Sequence, residues 1–139
     1  MDQKQFKITV TENQLKLIRI ACEDYLRTRM GQFFDLANSI SEAGTPDISS
    51  MTPVEFDEMI ARRNAAQDLM TSAFRLAQPV MQAKTEEMLI AEDIYDVIKH
   101  EIWKMRPDRD ELGWSVDSNP PLHLSKEPLI KIEKIVDKK

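Results

Sequence analysis

The sequence predicts an α+β domain that is mainly helical, with about three helices packed against a small antiparallel sheet formed by the N-terminal strand and a C-terminal hairpin. Three observations point there. Phe6-Lys7-Ile8-Thr9-Val10 alternates apolar and polar residues with β-branched types. The centre of the chain carries long stretches of helical periodicity with recognisable starts and stops. The tail returns to short apolar runs separated by prolines.

The first strand stops at Thr11-Glu12-Asn13-Gln14, which reads as a capping box: the threonine hydroxyl accepts from an early helix amide and Gln14 reaches back to the cap. In the helix that follows, Leu15, Ile18, Cys22, Tyr25, Leu26 and Phe33 share one face, while Lys16, Arg19, Glu23 and Arg27 fall away from it. Gly31 marks a bend or break, after which helix resumes through Phe33, Phe34, Leu36 and Ile40 and stops by Gly44. Loop formers fill residues 44–51. Thr52-Pro53-Val54-Glu55 is the clearest helix start in the chain, with threonine at the cap, proline at the first helical position and a carboxylate in the first turn. That helix runs to Gln78, where Pro79 ends or kinks it. A third, from about Thr85 to Met105, lines up Ile90, Ile94, Val97, Ile98 and Ile102 and is closed by Arg106-Pro107. In the tail, residues 113–117 and 122–124 read as short strands around Asn119-Pro120-Pro121. Residues 129–136 are read as an edge strand beside the N-terminal one in preference to a short helix.

A length of 139 residues fits a single domain, with strand and helices in 1–112 and a β-rich tail in 113–139. No apolar run approaches the ~18 residues of a membrane span. The N-terminus lacks a signal-peptide pattern, and the lone Cys22 cannot form an internal disulfide, so a cytoplasmic location is expected. A net charge of −5 disfavours a phosphate-binding surface broad enough for polymeric nucleic acid.

Enzyme signatures are missing. Three glycines cannot build a nucleotide-cradling loop, and two histidines leave few acid–base candidates. No catalytic residue, metal ligand set or cofactor is assigned. Asp93, Asp96 and His100 share a helix sector, but they lack the second ligand segment a metal site needs. The binding candidates are Arg27, Arg29 and Phe33 around Gly31, and Asp93, Asp96, Lys99, Trp103 and Arg109 on and after the third helix. Arg29, beside the apolar stripe, either snorkels from a helix end, pairs with an internal acid, or offers its fork to a phosphate. Trp103 projects to the polar side near Asp96 and Lys99, where an indole covers the tail, a subunit or a flat ligand. Arg109 belongs to a basic group whose field is largely cancelled by Asp108, Asp110 and Glu111.

Three stretches carry a resemblance: Arg29-Met30-Gly31-Gln32-Phe33, Asp93-Ile94-Tyr95-Asp96-Val97-Ile98-Lys99-His100, and the ending from Trp114-Ser115-Val116-Asp117 through Pro120-Pro121-Leu122 to Ser125–Glu133. Together they resemble a family of small proteins of tailed bacteriophages and prophages, over about half of the chain and excluding residues 42–84. Lys99 stands where that family more often has arginine, which puts a bidentate phosphate contact there in doubt. The small size and helix-plus-hairpin plan are also similar to the Thoeris anti-defence sponges. That resemblance implies a non-catalytic homo-oligomer that sequesters a cyclic nucleotide or cyclic ADP-ribose-type signal, with arginines for phosphates, an aromatic for adenine and carboxylates for ribose. A protein-interaction module, inhibiting a host protein or serving a phage as an accessory, is the alternative, motivated by the methionine-rich middle helix with Met51, Met59, Met70 and Met81. A hydrolase acting on the same signals is the third.

Overall fold

The computed structural model describes residues 5–43, 47–80, 82–111 and 115–135. Its regular elements are four α-helices, α1 (Glu12–Arg29), α2 (Phe34–Glu42), α3 (Pro53–Ala77) and α4 (Glu86–Met105), with 3-10 turns at Ile48–Ser50 and Val116–Ser118. The described chain forms two compact units, one containing the residues up to Glu23 together with those from Leu89 onward, the other Asp24–Met88.

Local chemistry explains the helix limits. At the start of α1, the Gln14 amide donates to Thr11 Oγ1 at 3.2 Å and the Thr11 amide donates to Gln14 Oε1 at 2.8 Å. Thr52 and Glu55 make the same reciprocal pair before α3, with Pro53 at the first helical position. The end of α1 is a Schellman motif: the Gln32 amide reaches back to the Arg27 carbonyl at 2.8 Å, the Gly31 amide bonds Thr28 at 3.1 Å, and Gly31 takes φ 72°. The predicted break at Gly31 thus divides one expected helix into two.

The Asp24–Met88 unit is built where α2 packs on α3. Ala37 and Met59 are buried, the Phe33 ring meets Phe74 edge-on with centroids 5.7 Å apart, and the Arg63 guanidinium sits 4.8 Å from the centre of the Phe34 ring. Gly31 lies against the same aromatic: a β-carbon there would sit 2.7 Å from the Phe74 ring. In the other unit the core is carried by α4, whose Val97 and Ile98 are buried, with Leu15 from α1.

The antiparallel sheet expected from the two chain ends is not formed: 63% of the described residues are helical and none is in a strand. Three physical reasons account for this. Phe6 and Ile8 are 84% and 79% exposed, so the alternating N-terminal segment has no surface to pack on. Pro120, Pro121 and Pro128 supply no amide to a ladder. Finally, the amides of Leu124 and Ser125 are taken by a carboxylate on α4. The expected strand at 113–117 is partly replaced by the 3-10 turn, which Ser115 caps by accepting from the Asp117 amide at 3.2 Å. Gly113 and Trp114 of that strand, and Val136 of the last, lie outside the described residues.

Gly31→Ala is expected to destabilise the protein by about 1–3 kcal/mol in urea unfolding, because it combines left-handed backbone strain with displacement of a packed ring. Adding Phe74→Leu should remove the steric part and leave the backbone part.

Candidate functional site

The densest polar structure lies where α4 meets the tail. Asp93 shares α4 with the apolar stripe and is only 4% exposed. Its Oδ1 accepts from the Leu124 amide at 2.8 Å, and its Oδ2 accepts from the Ser125 amide at 2.9 Å and the Ser125 hydroxyl at 2.6 Å. Two successive amides and a hydroxyl turned toward one anion meet the hydrogen-bonding demand of a buried carboxylate. Burial alone would raise the Asp93 pKa, but the Ser125 hydroxyl, both amides and the nearby His123 outweigh it, and the group is held below its ordinary value. Asp93 is thus a permanent anion at neutral pH that holds the tail.

One helical turn on, Lys99 Nζ pairs with Asp96 Oδ1 at 2.8 Å and lies 5.0 Å from the centre of the Tyr95 ring. Burial opposes the ammonium, yet the Asp96 hydrogen bond and charge, with Tyr95 and Asp117, raise the Lys99 pKa on balance. The group is a fixed cation rather than a base. Asp96 and Lys99 border a cleft of about 160 Å³ closed by Val116, Asn119, Pro120, Pro121 and Leu122. A larger cleft of about 310 Å³ lies beside Asp93 and Ser125, with Ile90, Ile94, Pro128, Leu129 and Ile130 making it mainly apolar.

His100 Nδ1 donates to the Asp117 carbonyl at 3.2 Å, which adds a second tie between α4 and the tail. Trp103, expected on the polar face, is half-buried and stacks on His100 with centroids 5.9 Å apart; its Nε1 is buried with no hydrogen-bond partner among the described residues. Arg109 turns back to cap α4, with Nη1 donating to the Lys104 carbonyl at 2.8 Å. Asp93, Asp96 and His100, which share a helix sector, therefore go to three different partners: tail amides, Lys99 and the Asp117 carbonyl.

The remaining candidates belong to the Asp24–Met88 unit. Arg27 Nε pairs with Asp35 at 2.9 Å, and Phe33 is core against Phe74. Arg29 is exposed, its guanidinium 5.9 Å from the centre of the Tyr25 ring. Sequence reasoning placed Asp93 among ligand contacts and missed its anchoring role. The signal was an acid set into an apolar helix face, but its partner Ser125 lies far along the chain and has no spacing that announces it.

No protein-family model matches the chain, and no curated protein or solved structure shows significant similarity to it. Among the described residues, no helix is long and apolar enough to cross a membrane.

Asp93→Asn replaces an acceptor with an amide that confronts a donor. The expected cost is about 2–4 kcal/mol, with faster hydrogen exchange at the Leu124 and Ser125 amides. Because the native pKa of Asp93 is depressed, its contribution is complete above the ordinary value of 3.8 and is lost as pH falls through the lower folded value. Urea midpoints should therefore drop below about pH 4 in the native chain, and this drop should be smaller in Asp93→Asn.

Proposed function

We propose that the chain is a non-catalytic binding protein that acts on another polypeptide through a helical surface, as an inhibitor of a host protein or an accessory of a phage. The observation that carries this reading is α3. Met59 is its one fully buried side chain, whereas Leu69 and Leu76 are 73% and 86% exposed. Seven residues apart, these leucines share a face, and the exposed Ala65 and Ala73 lie beside them, so a partner helix can approach closely. Apolar side chains presented along one helix face are the usual anchors of helix-in-groove recognition. The clamped carboxylate and fixed cation of the other unit also suit holding better than proton transfer.

Sequestration of a cyclic nucleotide signal, by a phage counter-defence protein in a host cytoplasm, is the second reading, favoured by Arg29. Its exposed fork beside Tyr25 pairs a phosphate-binding group with a ring for a base. A nucleotide needs a pocket of roughly 300–1,000 Å³, so the cleft at Lys99 is too small alone, and the mainly apolar cleft beside Asp93 only reaches the lower limit.

Two measurements separate these readings. The double substitution Leu69→Glu/Leu76→Glu should shift stability by less than about 0.5 kcal/mol, since both sites are exposed, yet abolish recovery of a stoichiometric protein partner from host lysate. Retained capture overturns the first reading. Incubation with cyclic nucleotides and cyclic ADP-ribose isomers, followed by heating and mass analysis, should release intact ligand only under the second, and Arg29→Ala should then weaken retention.

A further inference from the structure

Near its end, the chain leaves backbone and apolar side chains unused. Among the described residues, neither 6–10 nor 129–135 makes a backbone-to-backbone hydrogen bond. Ile130 and Ile135 are exposed, and Lys134 lies within electrostatic reach of Glu12 at the start of α1. Lys131 and Glu133 have no ion-pair partner among the described residues.

We propose that residues 129–135 are a self-complementary strand completed by the same segment of a second copy of this chain, antiparallel and centred on Ile132. The sequence fits this register at every position. Reversal about Ile132 sets Lys131 of one copy opposite Glu133 of the other, and Glu133 opposite Lys131, so both charge pairs are satisfied across the two-fold axis. Leu129 falls opposite Ile135, Ile132 opposite itself, and Ile130 against the aliphatic stem of Lys134. Raising the pairing sum by one sets Lys131 opposite Lys134, and lowering it by one leaves Lys131 and Glu133 opposite isoleucines, so of these registers only the one centred on Ile132 pairs both charges.

A two-stranded ribbon is marginal in water when both strands are free. Here the Asp93 clamp at Leu124 and Ser125 holds the chain a few residues before the strand, so less conformational freedom is lost on pairing. This interface uses no residue of α3 and stands whether or not α3 binds a partner.

Sedimentation velocity on the full chain tests the proposal. The native protein should dimerise with rising concentration. Lys131→Glu and Glu133→Lys, which each put like charges opposite one another twice, should weaken the dimer about tenfold or more. The combined Lys131→Glu/Glu133→Lys chain should restore it. In a Cys22→Ser background, Ile132→Cys should crosslink into a symmetric disulfide dimer on oxidation, and Leu129→Cys should not. A chain monomeric at all concentrations, a dimer indifferent to the single reversals, or no rescue by the double swap overturns the proposal. If a single reversal fails to fold by circular dichroism, the Ile132→Cys and Leu129→Cys comparison decides: equal crosslinking at both overturns it.

Discussion

The carboxylate of Asp93 is the constraint on which the architecture of its unit rests. A tail containing Pro120, Pro121 and Pro128 cannot hold itself by a ladder, and its apolar side chains are too scattered to fold alone. One buried anion solves the problem by collecting two amides and a hydroxyl from consecutive residues. Each partner of that anion would be costly to leave unmet in the same dry place, so the contacts form together. The His100 tie to Asp117 extends the attachment toward the start of the tail, and the clefts beside α4 follow from where these two ties let the chain stand away from the helix.

The same constraint decides what the tail does not become. Amides committed to a carboxylate are unavailable to a neighbouring strand, and Ser115 turns the chain into a 3-10 turn just where extended structure would have begun. Strand propensity in Val116, Leu122 or Leu124 is a weak preference, worth less than charge-assisted bonds to a buried anion.

This competition also explains what was legible in the sequence. Thr11 with Gln14, Thr52 with Glu55 and Gly31 act on neighbours within five residues, so their helix limits could be read directly. The missing sheet could not, because it depended on a bond between Asp93 and Ser125, residues whose separation carries no pattern. The site candidates divide in the same way. Residue types suited to ligands stand at Arg27, Asp96, Lys99 and Arg109, and within the chain Arg27 meets Asp35, Asp96 meets Lys99, and Arg109 meets the Lys104 carbonyl. Composition tells which groups can bind anions or bases; it does not tell which have already been taken.

What remains untaken is mostly apolar. A chain of this size with 42% hydrophobic residues can bury a core, yet the described residues leave Leu69 and Leu76 on α3, and Ile135 beyond α4, in solvent. Along α4, Asp96 pairs with Lys99 and Glu101 with Lys104, while these large aliphatic groups face solvent. The polar residues set the internal geometry, with Asp93 as its fixed point, and the aliphatic residues are left to face outward contacts. On that division of labour, the proposed recognition of another polypeptide rests on covering apolar surface, with fixed charges contributing to orientation more than to strength.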